Sequence, residues 1–142
     1  KRVYNFREKI MPRKKEDKEK KDLDFEIDFF EQLLKKKPDF ILALTALGNA
    51  YTQRGEYKKG LEIDLHLSRL RQDDSTVHYN LACSYSLLGE PDKAFSALKK
   101  AIDLGYDDFE HLKYDPDLEN LKKDERFQLI LKNRPAPYAD KP

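Results

Sequence analysis

Three histidines (His66, His78 and His111) and one cysteine (Cys83) are the side chains of this chain best suited to hold a metal or act as a nucleophile. No His-x-x-x-His or Cys-x-x-Cys spacing links them, so the usual nitrogen and sulfur ligand set for zinc is missing. Cys83 and His78 lie five residues apart, which on one helix sets them about 140° apart around the axis, too far round for a thiol–imidazole hydrogen bond. A packed or groove-lining thiol is the expectation. The 5 glycines are isolated and fall mostly at helix ends, so no glycine-rich loop is available to cradle phosphate. The carboxylate pairs Asp73-Asp74 and Asp107-Asp108 fall at helix starts, where they cap. A paired general acid and base would need a cleft, and the sequence gives no sign of one. The chain is expected to be non-catalytic, with no cofactor and no metal.

The elements that carry these residues read as helices throughout. Phe25, Phe29 and Leu33, with Phe30 and Leu34 one turn offset, form an apolar stripe at i, i+4 spacing, closed by Lys35, Lys36, Lys37 and Pro38. A second helix is expected from an N-cap at Asp39 through Leu42, Leu44, Leu47 and Tyr51 to Gly55, and a third from Tyr57 to Arg71. Asp73, Asp74 and Ser75 open a fourth, through Val77, Leu81 and Tyr85 to Gly89. Pro91 fits the first turn of a fifth, which ends at Gly105. No stretch alternates with period two, so strands are not expected.

Composition narrows the class further. The chain has 142 residues and 16.8 kDa, 39% of it charged, with a mean hydropathy of −0.88. Eight Phe and eight Tyr, with many Leu, still supply a core for one modest domain. One cysteine excludes an internal disulfide framework and suits a reducing compartment, read here as cytoplasmic. No apolar run approaches a membrane span and no signal-peptide core opens the chain, so a membrane partner is not expected. The opening Lys1, in place of Met, suggests that a piece upstream has been removed. Residues 1–21 carry ten Lys or Arg against four Asp or Glu, a local charge of +6 that leaves −5 on the rest of a chain totalling +1. This divides a basic arm, 1–22, from an acidic body.

A 34-residue period organises that body. Leu47-Gly48-x-x-Tyr51 is echoed by Leu81-Ala82-x-x-Tyr85, Gly55 by Gly89, Gly60 by Ala94 and Leu67 by Ala101. Helix pairs repeated at this interval are too small to bury their own apolar faces and must stack. These residues resemble the tetratricopeptide repeat family, with departures at Asp64, Leu67 and Gln72 in the first unit and with His78 and Tyr106 at pattern positions of the second. The resemblance implies an all-α superhelix, or solenoid, of about three helix hairpins: a partial repeat at 23–38, repeats at 39–72 and 73–106, and a degenerate cap at 107–132. A proline-containing tail, 133–142, follows. The run Asp115-Pro116-Asp117-Leu118 through Asp124-Glu125-Arg126-Phe127 resembles the closing segment of many bacterial members.

By that family's register the concave groove is lined by Leu42, Thr45, Asn49, Thr52 and Gln53, then Thr76, Tyr79, Asn80, Cys83 and Ser86, then Glu110, Lys113 and Tyr114. Asn49 and Asn80 match the asparagines that clamp a peptide main chain in family members, an amide being both donor and acceptor. The clamp's basic residues are replaced by Thr45, Glu110 and Tyr114, which turns the expectation from an acidic C-terminus to a mixed polar or aromatic ligand. The resemblance thus implies a protein-interaction module or scaffold binding a peptide or protein segment. The alternative is an RNA-associated accessory protein using the basic arm, weakened by the interleaved acids and by the lack of aromatics between Arg13 and Lys21. Tyr4, Phe6 and Ile10 could instead anchor the arm on a partner or a second copy. Asp64 and His78, both at normally apolar positions, are expected to form a buried polar pair.

Overall fold

Charged side chains at helical spacing make α1 far longer than its apolar stripe requires. Opposite charges recur four residues apart through the arm, as in Glu16–Lys20 and Asp17–Lys21, and Lys and Glu are good helix formers. In the computed structural model, which describes the backbone of residues 2–134 and the side chains of 17–134, α1 is one helix from Arg2 to Lys36. It crosses the expected arm boundary at residue 22 without a break. The side chains of Val3, Tyr4, Phe6, Ile10 and Met11, and the tail from 135 onward, lie outside the described residues.

The remaining elements are α2 (Ile41–Gln53), α3 (Tyr57–Leu70), α4 (Ser75–Leu87), α5 (Pro91–Asp103), α6 (Phe109–Tyr114), a 3₁₀ segment (Pro116–Leu121) and α7 (Glu125–Lys132). The described residues contain no strand. The 34-residue echo reappears as backbone chemistry. After α2, Gly55 at φ 85° lets its N–H reach Thr52 O and the Glu56 N–H reach Tyr51 O. After α4, Gly89 at φ 72° repeats both bonds with Ser86 and Tyr85. These left-handed closures satisfy carbonyls that the helix leaves orphaned. Pro91 begins α5 as expected, and Asp74 caps α4 by accepting from the Thr76 and Val77 N–H groups. α2 starts one residue later than expected, with Phe40 at its cap position in place of Asp39.

The chain divides into two compact units, Lys1–Glu56 and Tyr57–Pro142. In the first, α1 packs on α2. Ile27 is buried, with Leu23, Phe30, Leu33 and Leu34 half-buried beside it, against a core of Ala43, Leu44, Leu47, Ala50 and Tyr51. The Tyr51 hydroxyl donates to Glu31 at 2.5 Å, and Arg54 pairs with Asp24 at 2.6 Å. Phe25 and Phe29 do not join this core; they are 72% and 52% exposed. Each lies two residues from Ile27, about 200° round the axis, so seating Ile27 turns both outward. The expected stripe thus splits between two faces.

In the second unit α4 is the central element, packed against α3, α5 and the 3₁₀ segment. Ala82 and Ala94, the small residues of the repeat pattern, are fully buried and let α4 and α5 approach closely. Leu98, Leu112, Leu118, Leu121 and Phe127 carry the same core through to the end of the described chain.

Candidate protein-interaction surface

Within the first unit three of the expected groove residues on α2 face water. Leu42 is 73% exposed, an apolar side chain that nothing in the described chain covers, and Asn49 and Gln53 are exposed. Leu42, Asn49 and Gln53 fall within about 40° of one another around the helix, so they form one stripe. Thr45 and Thr52 are half-buried, and their hydroxyls donate to the Ile41 and Gly48 carbonyls of the same helix. The amides of Asn49 and Gln53 are the polar groups left on that stripe.

Within the second unit α4 behaves differently. Thr76 is exposed and Asn80 half-buried, but Tyr79, Cys83 and Ser86 are buried. Those three cannot line an open groove, because the chain's own cap occupies that face. The Tyr79 hydroxyl donates to Asp115 Oδ2 at 2.6 Å, the Cys83 thiol lies 3.8 Å from the same oxygen, and Asn120 Nδ2 donates to the Ser86 carbonyl at 2.9 Å. Asp115 Oδ1 accepts the Asp117 N–H at 2.9 Å, and His111 Nε2 stands 3.2 Å from Oδ2. The Tyr79 ring stacks on Tyr106 with centroids 4.2 Å apart. Glu110, Lys113 and Tyr114 remain exposed, the Lys113 ammonium 5.3 Å from the Tyr114 ring centre.

This knot sets the local electrostatics. Burial, then the hydrogen bond to Asp115, pushes the Tyr79 phenol well above its ordinary value. Burial, then the Asp115 and Asp117 charges, pushes the Cys83 thiol up as well, so the sulfur is held as an unreactive thiol. Burial and the Asp115 charge raise Asp117. Cys83 Sγ and one oxygen each of Asp115 and Asp117 lie within 4.8 Å of one another, close enough in principle for a shared cation. Through Tyr79 and Cys83, both of which meet Asp115, the cluster fastens the cap to α4.

The Asp64–His78 pair does not form. Both residues are buried, as expected, but each is bonded elsewhere: Asp64 accepts from the Ser84 hydroxyl at 2.5 Å, and His78 Nε2 donates to the Gln72 carbonyl at 2.8 Å. Ser84 and Gln72 each reach one member first, so no ion pair joins the two among the described residues.

A family description, tetratricopeptide repeat, matches residues 43–77, and a second match of the same description covers 75–105. Residues 43–105 thus carry two tetratricopeptide repeats. It is also similar to a chloroplastic protein of Arabidopsis thaliana, 36% identical over 88 residues that cover 60% of this chain and 26% of that protein. The chain therefore spans about a quarter of the length of that curated relative. Tetratricopeptide repeats as a class mediate protein–protein interaction as non-catalytic scaffolds. No helix among the described residues is long and apolar enough to cross a membrane.

Beyond the repeat register lies a cleft that the sequence reading missed. Phe95, Ile102, Phe109, Leu129 and Ile130 line a mostly apolar hollow of about 410 Å³ between α5, α6 and α7, with Lys99, Arg126 and Arg134 at its edge. Arg126 is held there by Asp92 at 2.9 Å and Asp124 at 2.8 Å, 4.3 Å above the Phe95 ring. Its one sequence signal was the run Leu129-Ile130-Leu131, which puts more apolar residues together than one face of α7 can bury.

Proposed function

We propose that this chain is a non-catalytic interaction module that holds an extended segment of a protein partner on the exposed face of α2. The observation that carries the reading is Leu42, an apolar side chain 73% exposed on a repeat helix whose neighbouring stripe offers the Asn49 and Gln53 amides. Leu42 supplies an apolar anchor, and the amides supply paired donors and acceptors for a main chain. On α4, the open residues Thr76 and Asn80 offer a second polar patch, while Tyr79, Cys83 and Ser86 serve the cap. With Tyr79, Cys83 and Ser86 buried, the α2 stripe is the anchor, which favours a short ligand. A single buried cysteine fits a reducing compartment; the relative's name puts that protein in the chloroplast, so either a cytoplasmic or a plastid setting accords with this chemistry.

The test is affinity capture with mass spectrometry, run with and without nuclease on the wild type, Leu42→Asp and Asn49→Ala with Gln53→Ala. A protein captured by the wild type, kept after nuclease and lost by both variants supports the reading. Capture that survives both variants, or that vanishes with nuclease, overturns it.

A further inference from the structure

α1 presents a second apolar feature that the repeat fold does not use. Phe25 and Phe29 stack on each other at 6.4 Å between centroids and point away from the face that seats Ile27. Aromatic rings exposed this far, side by side on one helix face, mark an interaction surface rather than scattered surface residues. The tract around them is acidic: residues 22–31 hold Asp22, Asp24, Glu26, Asp28 and Glu31 and no base. Asp22, Glu26 and Asp28 are exposed beside the two rings.

A docking partner for this face must therefore be a helix or segment that is basic and carries apolar side chains. Residues 1–21 of the same chain have that composition: a local charge of +6, with Val3, Tyr4, Phe6, Ile10 and Met11 among the bases. Because α1 is one continuous helix, the basic segment cannot fold back onto the acidic tract of its own chain. It can reach the acidic tract of another. We infer that two copies of this chain pair through α1 in antiparallel fashion, the basic half of each helix lying along the Phe25–Phe29 face of the other. Both acid–base contacts form at once in that arrangement, which is the self-complementarity a two-fold dimer requires. A parallel pairing sets like charges against like and is disfavoured. Laying the middle of the basic tract on the middle of the acidic one puts the two-fold crossing close to Lys18.

The experiment is sedimentation velocity on the whole chain at low and high salt. A dimer is expected that weakens roughly tenfold or more as salt rises, because the flanking contacts are exposed ion pairs. Phe25→Asp with Phe29→Asp is expected to yield a monomer with unchanged helical circular dichroism, both positions being on the surface. A second pair of variants removes dependence on the phenylalanines: reversing Asp22, Glu26 and Asp28 to Lys weakens self-association, and mixing that chain with one whose Lys14, Lys15 and Lys18 are reversed to Glu restores pairing as a heterodimer. Oxidation of Lys18→Cys yields a covalent dimer, whereas Lys36→Cys does not. A chain that stays monomeric at low salt overturns the inference, whether or not it binds RNA or another protein through this face. Dimers untouched by the phenylalanine changes overturn it too, as does a crosslink at Lys36.

Discussion

Replacing Asp64 by Asn isolates the cost of a buried charge. Asp64 sits on α3 at a normally apolar repeat position and is 8% exposed. Burial outweighs its hydrogen bond from Ser84 and pushes its pKa up from 3.8 to about 6. In the unfolded chain the group titrates near 3.8. Between those two values the folded protein keeps a proton that the unfolded chain has released, so unfolding sheds protons and stability falls as pH rises. The loss starts near pH 4 and levels off above about pH 6, and roughly two pKa intervals at about 1.4 kcal/mol each bring it to about 3 kcal/mol. Asp64→Asn keeps a carbonyl oxygen for the Ser84 hydroxyl to donate to and has nothing to ionise. Urea titrations followed by far-UV circular dichroism should find the two proteins similar at about pH 4 and the variant more stable by about 3 kcal/mol at about pH 7. A stability difference that stays flat over that range refutes the reasoning. A wild type that gains on the variant as pH rises does so more sharply, since the carboxylate would then be the favoured buried form.

Further outcomes follow from the same contacts. Phe127→Ala removes a ring that is 1% exposed in the second unit's core and should cost about 3–5 kcal/mol by chemical denaturation. Tyr79→Phe deletes the hydroxyl that donates to the buried Asp115 carboxylate and should cost about 1–3 kcal/mol in the same assay. Cys83, buried and held as a thiol, should react with a disulfide reagent roughly 100-fold more slowly in the native chain than in urea, because reaction waits on local opening. The Tyr79→Phe change should speed native labelling by loosening the cap. Gly89→Ala places a Cβ at φ 72° and should lower stability by about 1 kcal/mol, although nothing lies within 4 Å of that Cβ.

Much of the architecture was legible in the residues because helix signals are local. Pro91, Gly55 and Gly89 mark boundaries through their own backbone preferences, and the 34-residue echo of small and large residues encodes the hairpin contact. The site was legible only in part. Asn49 and Gln53 are exposed on α2, whereas Thr45 and Thr52 are half-buried with their hydroxyls turned onto their own helix. Tyr79, Cys83 and Ser86 read the same way and were lost to the cap, since a register position says which way a side chain points and not what arrives there. Asp64 and His78 were recognised as polar residues in apolar places, but Ser84 and Gln72, the groups that satisfy them, carry no signal of that role.

The helices, most of their ends and the period at which hairpins recur are written locally, since they depend on backbone preference and side-chain type over a few turns. Tertiary structure alone decided two matters. One is which face of α1 is buried, because α1 carries apolar residues on opposite faces and only packing of Ile27 against α2 chooses between them. The other is the fate of the α4 groove, because Tyr79 and Asp115 stand 36 residues apart and their bond exists only once the 3₁₀ segment has folded back onto α4.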